Sequence, residues 1–217
     1  MQVKLVRHGE SRSNTGELNP QKVGDHTIPL TERGRQQAHQ VGGVLGEAFI
    51  RSSLVYVSPY RRTRETLEAL LGGADVDPNS IRIFEDPRLR EVEHGYGDVD
   101  AQQEQRCIHG WFYYRFQGGE SPADCYDRTS SFLESLMRQA ERKNTSQALV
   151  VTHGLTIRCF VMRFLHLSVE QFESLANPEN GDVITIAPKE LVTDPLLTTG
   201  RWSVEGLSVR SPEQDWT

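Results

Sequence analysis

Two short apolar runs in this chain each end in a histidine followed by glycine. Val3 to Val6 leads into Arg7-His8-Gly9, and Leu149-Val150-Val151-Thr152 leads into His153-Gly154. Short runs rich in Val and Leu, without polar alternation, read as strands buried on both faces, the habit of parallel sheets. After the second run a helical apolar pattern starts at once, with Leu155, Ile157, Phe160, Val161, Phe164 and Leu165. Such units restrict the chain to an open α/β sheet with both histidines at the carboxyl ends of strands. In sheets of that kind, ligands bind at those ends.

The remaining pattern extends the same architecture. Strands are expected at 2–7, 54–57, 81–84, 148–152, 182–187 and 201–204. Thr31 caps a helix expected to run to about Ile50. Ser58-Pro59 reads as an N-cap with proline at the first helical position, and Gly72-Gly73 as the stop. Ser121-Pro122 opens a long helix to about Lys143, and Ser168 with Gln171 forms a capping box. Strands alternating with helices predict a three-layer α/β/α sandwich with a mostly parallel central sheet. At 217 residues the chain fits one domain spanning 1–217. Residues 74–118, broken by Pro78, Pro87 and several glycines, read as an inserted lobe over the active site.

Charge and composition exclude several classes. A formal net charge of -6 argues against a general nucleic-acid or anionic-membrane binder. No apolar stretch reaches membrane-spanning length, and no secretory pattern precedes the first strand. Three cysteines, an odd count without Cys-x-x-Cys, read as reduced thiols in a cytoplasmic protein. Without His-x-His or His-Glu-x-x-His, no metal site is expected. Arg61, Arg62 and Arg64 read as one inward ligand and two solvated cations.

Two strand-end histidines, one beside an arginine, suit an oxyanion, above all a phosphoryl group. Phosphoryl transfer through histidine requires a neutral imidazole in line with phosphorus. It also requires donors around the equatorial oxygens and an acid at the leaving oxygen. His8 is the candidate nucleophile and Arg7 the adjacent clamp. Ser11 and Asn14 can supply neutral donors. Arg62 falls in the first turn of a helix, where the dipole favours an anion. His153 closes the pocket, with the Gly154 amide at another helix start. Spacing does not choose the acid among Glu85, Asp86, Glu91 and Glu93.

Six ordered blocks resemble the histidine phosphatase superfamily, also called phosphoglycerate-mutase-like. They are Leu5-Val6-Arg7-His8-Gly9-Glu10-Ser11-x-x-Asn14, Pro29-Leu30-Thr31-x-x-Gly34-x-x-Gln37-Ala38, Ser58-Pro59-x-x-Arg62-Thr63, Leu89-x-Glu91, Gly119-Glu120-Ser121 and Val151-Thr152-His153-Gly154. The resemblance implies His8 as the phosphohistidine nucleophile, Arg7, Arg62 and His153 as phosphate ligands, Glu91 as proton donor, and no metal or other cofactor. Glu93 is the runner-up acid. The implied function is a metal-independent phosphomonoesterase of the histidine acid phosphatase type, acting on small phosphorylated metabolites. The alternatives are a cofactor-dependent phosphoglycerate mutase and a non-catalytic phosphate-binding scaffold. Leu155, which cannot donate, favours the phosphatase, as does the isolation of Arg106 and Arg115 in the insertion.

Weaker signals divide between structure and function. His26, His39, His94, His109 and His166 read as surface or structural residues. Arg128 faces either the pocket or a salt-bridge partner. The aromatics from Trp111 to Phe116 form either a substrate wall or a small core of the insertion. The tail from Ser211 to Thr217 reads as disordered, and oligomeric state is not legible.

Overall fold

The computed structural model describes residues 1–98 and 101–210, so the expectation for the tail falls outside the described residues. In chain order the elements are β1 (Gln2–Arg7), α1 (Pro20–Val23), α2 (Glu32–Leu45), α3 (Glu47–Ser52), β2 (Leu54–Val57), α4 (Arg61–Gly73), β3 (Ile83–Glu85), α5 (Gln103–His109), α6 (Pro122–Lys143), β4 (Gln147–Thr152), α7 (Gly154–Leu165), α8 (Val169–Ser174), β5 (Val183–Pro188), β6 (Leu197–Thr199) and β7 (Trp202–Glu205). They build one seven-stranded sheet in the order β3-β2-β4-β1-β5-β7-β6. The half from β3 to β1 is parallel, and β5, β7 and β6 extend it by antiparallel pairing.

Alternation along each strand feeds two cores. Val3 and Leu5, Leu54 and Tyr56, and Ala148 and Val150 pack on one face, with Phe132 of α6 and Phe160 of α7. Val6, Val55, Val57, Leu149 and Val151 pack on the other, with Leu67, Leu70 and Leu71 of α4. Strands apolar on both faces are therefore covered by helices on both, as the sequence predicts.

Several boundaries differ from the sequence expectation, each for a local reason. The helix expected from Thr31 to Ile50 is two, because Gly46 takes φ 75° between α2 and α3. Its start is as read: Thr31 Oγ1 accepts a hydrogen bond from Gly34 N at 3.0 Å. Helix α4 begins at Arg61 after Tyr60, not at Pro59, and Ser58 is not its cap. Gly73 is the last residue of α4, and it permits close packing more than it stops the helix. A Cβ there would lie 1.9 Å from the His39 carbonyl oxygen of α2, and one on Gly42 would lie 1.9 Å from Leu70 O. Strand β3 runs from Ile83 to Glu85. Strand β6 was not expected; it pairs with β7 through the two-residue turn Gly200-Arg201, with Gly200 at φ 59°. The expected capping box at Ser168/Gln171 forms, and the helix start read at Ser121 is a capping box too, with Asp124. Among the described residues no helix is long and apolar enough to cross a membrane.

Candidate active site

Strands β1 and β4 are parallel neighbours with Arg7 opposite Thr152, so the residues that follow, His8 and His153, leave the sheet side by side. Their ring centroids lie 5.2 Å apart in an edge arrangement. His8 N donates to Thr152 O at 3.0 Å, and Gly9 N donates to Thr66 Oγ1 at 3.1 Å. Gly9 is required by close approach: a Cβ would fall 2.2 Å from the carbonyl oxygen of Gly34, at the start of α2. The segment after α8 closes over the other side. Asn180 Nδ2 donates to His8 O at 3.1 Å, and Arg7 Nη1 donates to Pro178 O.

The tautomer of His8 follows from its contacts. Nδ1 lies 2.8 Å from the Gly9 carbonyl oxygen, which can only accept, so Nδ1 carries the proton. The lone pair is then on Nε2, where Arg62 Nε donates to it at 3.2 Å. His8 is 4 % exposed. Burial first, then the Arg62 and Arg7 guanidinium groups, hold it well below the ordinary imidazole pKa. The result is a neutral imidazole with a directed lone pair, the form a nucleophile needs. His153, fully buried, is likewise held well below the ordinary value by burial and then by Arg62, His8, Arg128 and Arg7.

Ser58, read from the sequence as a helix cap, does something else. Its Oγ lies 2.9 Å from His153 Nε2. The opposite nitrogen, Nδ1, is buried without a hydrogen-bond partner, as is Nε of Arg7. Such unmet buried polar groups are unusual in folded proteins, and both stand at the strand-end pocket. Ser58 and Thr66 are site residues that motif reading missed. The signal for Ser58 was present in the Ser-Pro pair but pointed equally well to a cap.

Arg62 is 5 % exposed and engaged at every guanidinium nitrogen. Beyond His8, Nη1 donates to Asp25 Oδ1 at 2.7 Å and Nη2 to Asp25 Oδ2 at 3.0 Å, a bidentate pair. Asp25 was also absent from the sequence reading; its short turn contributes His26, which stays exposed. Arg61 and Arg64 point outward, toward Glu65 and Glu85.

Glu91 is anchored at the first turn of α7. Its carboxylate accepts from Leu155 N at 3.3 Å, Thr156 N at 3.3 Å and Thr156 Oγ1 at 3.2 Å. Charge links it to Arg7. Burial lowers the Arg7 pKa, and Glu91 is the first of the acids opposing that shift. Glu93 is exposed. Gly154 begins α7 beside Arg7, whose Nε would lie 3.5 Å from a Cβ there. Ser11 and Asn14 meet each other: Ser11 N and Oγ donate to Asn14 Oδ1 at 3.0 and 2.8 Å. With Asn180 Nδ2 also donating to it at 3.3 Å, only the Asn14 Nδ2 group is left for a ligand.

Other candidates fall on the structural side. Arg128 pairs with Glu120, from Nη2 to Oε2 at 3.1 Å, and Arg90 donates to the same carboxylate. Arg115 is bound to Asp124. The aromatic cluster divides: Phe112 joins the core against Phe172, whereas Trp111 and Phe116 line a cavity next to Glu91. Among the described residues no group of three or more His, Cys, Asp or Glu side chains is disposed to hold a metal ion.

The chain is similar to several known proteins. A phosphoglycerate mutase-like protein of Arabidopsis thaliana, AT74, is 41 % identical over 200 residues, covering 83 % of this chain and 63 % of AT74; the chain thus spans less than two thirds of that relative. The broad-range acid phosphatase DET1 of Saccharomyces cerevisiae is 26 % identical, with 91 % of this chain and 88 % of DET1 aligned. A solved mycobacterial glucosyl-3-phosphoglycerate phosphatase superposes with a TM-score of 0.69 at 24 % identity, covering 86 % of this chain and 90 % of that one, and so shares the fold. The family model described as histidine phosphatase superfamily (branch 1) matches residues 3–192, which takes in both strand-end histidines, Arg62 and Glu91, and the chain belongs to that superfamily.

Proposed function

We propose that the protein is a phosphomonoesterase that works through a phosphohistidine on small phosphorylated metabolites. The observation that carries this reading is the neutral His8, with its proton on Nδ1 and its Nε2 lone pair facing Arg62. In the first step Nε2 attacks phosphorus and the phosphorus–oxygen ester bond breaks. The electron pair leaves with the alkoxide, which takes a proton from Glu91. In the second, Glu91 takes a proton from water as that water attacks the phosphohistidine. The bond from phosphorus to Nε2 then breaks, and neutral His8 returns with inorganic phosphate. Arg7 Nε and His153 Nδ1, both without protein partners, are suited to the phosphoryl oxygens. Arg62 joins them when the phosphoryl group takes the place of the Asp25 carboxylate. Removing one such donor costs about 100-fold or more in rate. Glu91 is favoured over Glu93 as the acid because it is held beside Arg7 at the start of α7, whereas Glu93 is exposed.

The chemistry needs no metal, so phosphate release should persist in EDTA. The test is release from a panel of phosphoesters by wild type and His8→Ala in EDTA, with acid-labile, base-stable phosphoenzyme as a second readout. Release and phosphoenzyme in wild type, both lost in the variant, are the expected result. Undiminished turnover by His8→Ala would overturn the mechanism. The likeness to AT74 keeps a mutase in view. Interconversion of 2- and 3-phosphoglycerate faster than phosphate release would favour that reading. All three cysteines are free thiols, which supports a reducing compartment such as the cytoplasm.

A further inference from the structure

We infer that Asp25 is a resident counter-ion that competes with phosphoryl ligands for Arg62, and that it weakens the hold on inorganic phosphate so that the pocket can empty. This rests on the phosphatase reading and assigns to that site a residue that sets product release. A phosphoryl pocket holds its product with the same donors as its substrate, and in many enzymes product release limits kcat. The Asp25 carboxylate already sits on one of those donors. Its Oδ1 accepts from Arg62 Nη1 at 2.7 Å and its Oδ2 from Nη2 at 3.0 Å. The Asp25 carbonyl oxygen also accepts from Nη1, at 2.8 Å. Two oxygens on two guanidinium nitrogens is the geometry in which arginine also takes a phosphate.

Burial explains why a carboxylate is there. The Arg62 side chain is 5 % exposed, and a guanidinium so buried is costly without a counter-ion. Asp25 supplies the counter-charge while the pocket is empty. Other contacts keep Arg62 in place when Asp25 leaves. Its guanidinium lies 5.0 Å from the centre of the Tyr60 ring, and its Nε donates to His8 Nε2. The segment that carries Asp25 is anchored less firmly. Neither α1 nor the turn Asp25–Thr27 buries a residue, and the Asp25 side chain is 24 % exposed. Polar contacts tie α1 to the insertion, where Gln21 Nε2 donates to Gly95 O at 3.2 Å and to Gly97 O at 2.9 Å. Segments with few buried apolar contacts open at low cost. A phosphoryl group arriving on Arg7 and His153 therefore displaces the carboxylate from Arg62, and the carboxylate returns as phosphate leaves. The buried guanidinium is paired at both ends of the cycle. Affinity for every phosphoryl ligand is reduced by the fraction of molecules in which Asp25 holds Arg62.

The test is titration calorimetry of inorganic phosphate against wild type and Asp25→Asn, which removes the charge and keeps the shape. The variant should bind phosphate roughly tenfold more tightly, the effect of a contact that closes about nine molecules in ten. Damage to the pocket would weaken binding, so a gain separates competition from a merely structural role. In Arg62→Gln the same Asp25→Asn change should bring no gain. In steady state, KM and the inhibition constant of inorganic phosphate should fall together in Asp25→Asn, and kcat should not rise. Asp25→Ser takes its place if the asparagine variant does not fold. Equal or weaker phosphate binding by the variant overturns the inference, as does an absence of binding by both proteins or a gain that persists without Arg62. If no ester releases phosphate, the phosphatase reading fails on its own, and the calorimetry still decides whether Asp25 competes for Arg62.

Discussion

His8 and His153 are each held by one nitrogen so that the other faces the pocket. For His8 the fixing partner is a backbone carbonyl; for His153 it is the Ser58 hydroxyl. The second arrangement is the more fragile, because a single side chain supplies it. In Ser58→Ala the imidazole of His153 loses its partner at Nε2. Its ring can then rotate away from where the proposed mechanism puts the phosphoryl oxygens, and small misplacements in such sites cost up to about 100-fold. The expected outcome is a fall in kcat of about 10- to 100-fold with a smaller change in KM, read by steady-state phosphate release. An unchanged kcat would show that packing alone orients His153. Motif reading found both histidines because each follows an apolar strand. It missed Ser58 because a Ser-Pro pair has the same appearance whether the hydroxyl caps a helix or binds a ring 95 positions away.

Helices α2 and α4 carry the two outer walls of the pocket, the Gly34 crossing under Gly9 and the Arg62 side chain. Their mutual approach is set by glycines, since Gly42 and Gly73 each have a carbonyl oxygen of the other helix where a Cβ would be. Gly73→Ala must therefore separate the helices or bend one of them. Overpacking of this kind typically costs about 1–3 kcal/mol. At this chain length each kcal/mol lowers Tm by about 2–4 °C, so a fall of several degrees is expected by thermal denaturation. Gly46→Ala lacks a clash but must adopt φ 75°, so its cost would come from the backbone alone. The glycines of α4 were read as a helix stop, because punctuation is all that sequence shows of a glycine. That Gly73 is a contact appears only when α2 lies across it.

Across the whole molecule, burying two neutral imidazoles couples stability to pH. In the unfolded chain both histidines titrate near the ordinary value of 6.5. In the folded protein both are held well below it. Below pH 6.5 the unfolded chain therefore binds more protons, and stability falls with falling pH until the folded values are reached. Urea midpoints should decline from pH 7 toward pH 5, and the decline should be shallower in His153→Asn. Catalysis should be less sensitive to acid than an ordinary imidazole nucleophile would make it, because burial and the Arg62 and Arg7 guanidinium groups hold the His8 pKa well below the ordinary value. The sequence alone determined the parallel half of the sheet and the position of both histidines at strand ends, because two apolar runs ending in His-Gly admit little else. It also marked Arg7, Arg62, the helix start at Ser121 and the Ser168/Gln171 capping box, which are local in chain terms. Only the tertiary structure decided which donors are open and which are taken. Asp25 reaches Arg62 across 37 positions, Arg106 reaches the wall of Arg158, and Glu91 docks on the start of a helix more than 60 residues later. Such contacts depend on where two distant backbones come to rest, and no local pattern encodes that distance.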